Sequence, residues 1–104
     1  FAEALPGMAG AETLLAMGLQ LVRDGHIGAA RLFDLLAANP ARLLGIDAGR
    51  LAVDMEADLI LIDEGTPWQV DAKKMAAYAG NTPFDAMPVQ GRATAMWKGG
   101  LRVR

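Results

Sequence analysis

Leu59-Ile60-Leu61-Ile62 is a run of four aliphatic residues held between Glu56-Ala57-Asp58 and Asp63. It is too short to cross a membrane and too uniform for a half-exposed strand, which would alternate. The pattern predicts a strand buried on both faces, with Asp58 and Asp63 where it leaves the core. Upstream the spacing is helical. Leu14, Leu15, Gly18, Leu19, Leu21 and Val22 give a wide apolar face to a helix over 11–23, with Glu12 in its first turn and Asp24-Gly25 ending it. A second helix is predicted over 29–38 on Leu32, Phe33, Leu35 and Leu36. Asn39-Pro40-Ala41-Arg42-Leu43-Leu44-Gly45 then reads as a short separate helix, with Asn39 as N-cap, Pro40 in the first turn and Gly45 left-handed at the end.

Downstream the punctuation changes. Residues 46–56 read as loop, with Gly49-Arg50-Leu51 a candidate for a brief strand. Gly65-Thr66-Pro67 predicts a turn, and Trp68-Gln69-Val70 a further extended piece. Asp71 should cap a short helix over 71–78 that ends near Gly80. Asn81-Thr82-Pro83-Phe84 reads as a turn carrying one buried aromatic. Residues 88–97 form a strand pattern with a break at Gly91, and Lys98-Gly99-Gly100 predicts a hairpin turn into an edge strand over 101–104. At the other end, Pro6-Gly7 and Gly10 mark a loop, and Gly7 permits close backbone approach to whatever lies opposite.

Composition narrows the class. The chain has 104 residues, room for one small domain, and is 53% hydrophobic and 21% charged with a formal net charge of -2. That balance leaves no footprint for nucleic acid, and no Lys/Arg run suggests a membrane surface. With Cys 0 there is neither a disulfide nor a thiolate zinc site, which is compatible with cytoplasm. Aromatics are 6% of the chain, so small residues and leucines must supply its core. Phe1 is not an initiator Met. The expectation is a piece that packs against more protein, leaving Leu14, Leu19, Leu32, Phe33 or Leu36 exposed when viewed alone.

Chemistry is scarce. His26 is the single histidine and sits between glycines with no visible orienting partner, so it reads as a loop residue. Gly7 to Gly10 lacks the Lys and Ser/Thr of a phosphate cradle. Glu56, Asp58 and Asp63 alternate around an apolar strand and match no calcium loop. From the residues alone this is a mixed α and β chain with no evident active site.

Several blocks in fixed order carry a resemblance. They are Pro6-Gly7-x-x-Gly10-x-Glu12-Thr13, Asn39-Pro40-Ala41-x-x-Leu44-Gly45, Ala57-Asp58-Leu59-x-x-x-Asp63, Trp68-x-Val70, Asn81-Thr82-Pro83-Phe84, and Gly91 with Gly100. Together the chain resembles type I dihydroorotases of the amidohydrolase superfamily. Asp54 and Ala86 stand where that family usually has Gly. The resemblance implies an α/β fold: the C-terminal part of a (β/α)8 metal-dependent barrel plus strands of its small β-sandwich. Residues 1–45 would end the barrel, with the loop after its last strand and closing helices, and residues 46–104 would return to the sandwich. Zinc would be held by a His-x-His pair, a carboxylated Lys, two further His and an Asp, all before Phe1, so the segment alone lacks the metal site. Pro6 and Gly7 would offer backbone groups to the substrate, dihydroorotate. The resemblance further implies a homodimer in the cytoplasm whose partners are the rest of the barrel and, in some relatives, aspartate transcarbamoylase. The alternatives it leaves open are a hydantoinase- or allantoinase-like cyclic amidase and a non-catalytic scaffold subunit.

Overall fold

Thr13 marks where the first helix takes hold. The structure, a computed structural model, describes residues 10–75 and 81–104. The Thr13 hydroxyl donates to the Gly10 carbonyl at 3.2 Å, and the Leu14 amide donates to the same oxygen at 3.1 Å. This turn holds Ala11 and Glu12 outside the helix, so α1 runs Leu14–Arg23 and begins later than its apolar pattern suggested. Helix α1 ends as expected. The His26 amide reaches back to Leu21 O and the Gly25 amide to Val22 O, with Gly25 at φ 78.

Helix α2 (Ala29–Phe33) and helix α3 (Asn39–Leu44) were expected to be separate, yet they join through a π turn over Asp34–Ala38. Asn39 caps nothing. It has helical angles (φ -68, ψ -45), and its amide donates five residues back to Asp34 O. Pro40 explains this, because it has no N–H for the carbonyl four residues earlier and its ring crowds that carbonyl. Widening the preceding turn lets the helix pass the proline instead of breaking. The Asn39 side chain accepts from the Arg42 guanidinium. At the far end Gly45 is left-handed at φ 69, as its position predicts.

Residues 49–51 form no strand. The sheet begins at β1 (Leu59–Gln69), which pairs antiparallel with β2 (Pro88–Lys98); β2 in turn pairs with β3 (Leu101–Arg102), giving the order β1-β2-β3. The turn expected at Gly65-Thr66-Pro67 does not end the strand. Asp63 pairs with Arg92 and Pro67 with Gln90, so residues 64–66 bulge opposite Gly91. Asp63 carries that bulge: its carboxylate accepts from the Gly65 amide at 2.9 Å, the Thr66 amide at 3.2 Å and the Thr66 hydroxyl. Turn chemistry is therefore present, but the neighbouring strand resumes the ladder beyond it.

Two-sided burial of Leu59–Ile62 is not realised by the described residues. Ile60 and Leu61 are exposed: they point to opposite faces of β1, and no described element covers either face there. The core lies instead where α1 meets the sheet. Ala16, Val70 and Val89 are buried together, with Met17, Trp68 and Phe84 packed against them. Phe84 is half-buried, and its amide donates to the Thr82 hydroxyl at 3.2 Å within the predicted turn. The helix expected over 71–78 shrinks to one 3-10 turn, Ala72–Lys74. Asp71 caps it at Lys73 N, and Met75 is already extended; residues 76–80 lie outside the described ones.

Of the leucines and phenylalanine expected to be exposed, Leu14 and Phe33 are, Leu36 is half-buried, and Leu19 and Leu32 are buried. The Cα radius of gyration is 15.5 Å, against about 13 Å for a compact domain of this length. The chain is spread out, with a small core for its length.

Candidate functional site

Pro6 and Gly7, the two residues expected to meet a substrate, lie outside the described residues; the nearest described position is Gly10. What the structure does show is the turn from Gly10 to Thr13 that follows them in the chain, and the platform on which it sits. Thr13 is only 2% exposed, its hydroxyl is spent on Gly10 O, and Ala16 one turn later sits in the core. Beside it runs a groove of about 730 Å³ between the start of α1 and the sheet, lined by Glu12, Thr13, Trp68, Val70, Lys74 and Arg104 among others. The core residues Ala16 and Val70 line it together with the charged Asp71, Lys74, Arg92 and Arg104.

Arg23 closes the other end of α1 on the sheet. Its guanidinium lies 3.5 Å from both Glu64 O and Gln90 O, carbonyls at the bulge, while Gln20 Oε1 accepts from it at 2.9 Å. Between these ends Leu19 packs over Gly91, whose carbonyl accepts from Trp68 Nε1 at 2.9 Å. Sequence reasoning treated Gly91 as a strand break; the structure keeps it within β2 at φ 96.

The acidic residues are committed elsewhere. Asp58 accepts from Lys98 Nζ at 2.8 Å and from the Gly99 amide at 2.8 Å, which holds the β2–β3 hairpin against the start of β1. The Lys98 hydrogen bond and then the Gly99 amide hold the Asp58 carboxyl below its ordinary value, and Asp58 in turn holds Lys98 above its own. Asp63 is likewise held low, first by the Thr66 hydroxyl and then by the Gly65 amide. A smaller hollow of about 270 Å³ is rimmed by Asp47, Arg50, Asp54, Glu56 and Asp58, where Asp47 pairs with Arg50 at 2.7 Å. Among the described residues there is no group of three His, Cys, Asp or Glu side chains that could hold a metal ion. His26 stands exposed in the turn after α1. The described residues therefore do not fit a zinc centre, and no reaction step can be drawn through them. No helix among them is long and apolar enough to cross a membrane.

Comparison with known proteins gives this platform a setting. The sequence model of the Amidohydrolase family matches residues 4–103. A dihydroorotase of Geobacter metallireducens is 43% identical over 100 residues, covering 96% of this chain and 24% of that protein. A dihydroorotase of Clostridium botulinum is 40% identical over 96 residues, covering 91% of this chain and 24% of the other. Among solved structures, the L-hydantoinase (dihydropyrimidinase) of Arthrobacter aurescens superposes with a TM-score of 0.86 at 35% identity, over 93% of this chain and 22% of that one. The chain thus spans about a quarter of the length of the relatives it matches.

Proposed function

The chain belongs to the amidohydrolase family, and on that premise we propose that it is the C-terminal part of a zinc-dependent dihydroorotase. The whole protein would open and close the cyclic amide of dihydroorotate, giving carbamoyl aspartate, as a step of pyrimidine biosynthesis in the cytoplasm. The observation that carries this reading is identity of 43% and 40% to dihydroorotases along nearly the whole chain. On this reading residues 1–45 end a (β/α)8 barrel and residues 46–104 belong to its small β-sandwich. The exposed Leu43, Leu44, Leu51 and Val53 then face the remainder of the enzyme. Zinc would be held by residues of that remainder, since the donor set among the described residues does not fit it. Pro6 and Gly7 would present backbone groups to the substrate ring. The complete enzyme would be a homodimer, and association with aspartate transcarbamoylase is part of the same reading.

The likeness to an L-hydantoinase at a TM-score of 0.86 favours a second reading, a cyclic amidase acting on a related ring. The deciding experiment is turnover by the complete protein of dihydroorotate against hydantoin and allantoin. Preferred turnover of dihydroorotate is expected; preference for another ring moves the assignment to the second reading, and no turnover of any returns the chain to a scaffold role. Gly7→Val in the complete protein tests the loop. A side chain intruding where backbone meets substrate should lower kcat/KM roughly tenfold or more with the fold intact. Unchanged kinetics would remove Pro6 and Gly7 from the site.

A further inference from the structure

We propose that Gly91 is a positioning residue: through Leu19 it sets the pose of α1, and with it the Gly10–Thr13 turn at the end of the substrate loop. The proposal rests on the reading of Pro6 and Gly7 as substrate contacts. Its geometry lies entirely in described residues. Gly91 has φ 96 and lies opposite the bulge at 64–66 on β1. A Cβ there would collide with Leu19 Cδ1 and come within 3.4 Å of Glu64 O. Leu19 is 4% exposed, so it has little room to yield. Trp68 Nε1 holds the Gly91 carbonyl from the other strand, which keeps this seat from drifting.

From Leu19 the helix carries the constraint to Thr13, six residues and about 9 Å along its axis. Ala16 fastens the intervening turn to Val70 and Val89, and Thr13 fastens Gly10. Gly10 is three residues along the chain from Gly7. A displacement of α1 at Gly91 is therefore delivered to Gly10 along the helix, through the stripe Ala16, Gly18 and Leu19 that it buries. Small misplacements of substrate-contacting groups are amplified in rate, so the sheet acts on catalysis without touching substrate.

The test compares Gly91→Ala with Gly99→Ala in the complete enzyme. Gly99 also has a positive φ, of 59, but nothing lies within 4 Å of its added Cβ. Both variants carry positive-φ strain, more at Gly91 than at Gly99, and only the first meets Leu19 on α1. Expected for Gly91→Ala is faster amide hydrogen exchange across residues 10–17, and a kcat lowered roughly tenfold to a hundredfold with a smaller change in KM. Gly99→Ala should leave both readouts near wild type. Trp68→Phe, which removes the donor to Gly91 O together with part of the ring packed against the core, should move both in the direction of Gly91→Ala, by less, and stands in if that variant does not fold. Kinetics are read with whichever of dihydroorotate and hydantoin the wild type turns over. Turnover of neither overturns the functional reading, and exchange over 10–17 still decides the positioning role. Equal effects of Gly91→Ala and Gly99→Ala, or exchange over 10–17 unchanged in both Gly91→Ala and Trp68→Phe, would overturn the positioning role.

Discussion

Helix α1 and the helical run Ala29–Leu44 have similar leucine content but meet opposite fates. Helix α1 is closed onto the sheet along its length, by Thr13 and Ala16 at one end, Leu19 over Gly91, and Arg23 at the bulge carbonyls. The run Ala29–Leu44 touches α1 mainly through Leu32, and beyond it Leu43 is 88% exposed, with Val53 in the following loop at 91%. An apolar face in a sequence shows that something covers it. It does not show whether the cover lies in the same segment.

The contrast predicts unequal costs. In the complete protein, Leu19→Ala should lose about 3 kcal/mol of stability, the usual cost of a buried leucine, as read by denaturant unfolding. Leu43→Ala is the sharper probe. A loss of about 2 kcal/mol or more would mean that the rest of the enzyme covers this face; a loss below about 0.5 kcal/mol would mean that water does, and would sink the proposed contact there.

Smaller effects should come from two strained turns flanking the sheet strands. Asp54 at φ 68 and Ala86 at φ 63 both occupy the left-handed region. A non-glycine residue there costs about 1–2 kcal/mol, and glycine loses about 0.5–1 kcal/mol of that gain to unfolded-state freedom. Ala86→Gly should therefore raise stability by about 0.5 kcal/mol. Asp54→Gly should raise it by less, since aspartate tolerates this region. A loss of stability in Ala86→Gly, measured as a lower unfolding midpoint, would contradict this account.

The smallest effect expected is the pH response of the sheet's exposed carboxylates. Asp58 and Asp63 have folded values below the ordinary 3.8, so their contribution is present above 3.8 and is lost as pH falls through the depressed values. Lys98 runs the other way: its contribution is complete below 10.5 and is lost as pH rises through its raised value. Asp58→Asn should flatten both the acid and the alkaline limb of the unfolding midpoint against pH, because it removes the partner of Lys98 as well. Loss of the acid limb alone would show that the pair is not formed in solution.

How much was legible follows from the range of the forces involved. Gly45 at the end of α3, Asp71 over Lys73, Thr82 over Phe84, and the Gly99-Gly100 hairpin were all readable, because each rests on hydrogen bonds or torsions within a few residues. Asp54 and Ala86, standing where the family usually carries glycine, put the turn geometry in doubt from sequence; the structure keeps both left-handed all the same. Other features needed partners distant along the chain. Asp63-Gly65-Thr66 is equally good as a turn or a bulge, and only β2 resuming its pairing at Pro67 decided between them. Asn39-Pro40 can start a helix or be passed by a widened one, and the amide bond to Asp34 O settled that. Gly91 looked like an interruption until Leu19, 72 positions earlier, was seen resting on it. Local chemistry thus determined the ends and turns of the elements. Tertiary packing decided which of those turns stopped the chain and which glycine became the seat of α1, since those choices depend on atoms that sequence distance hides.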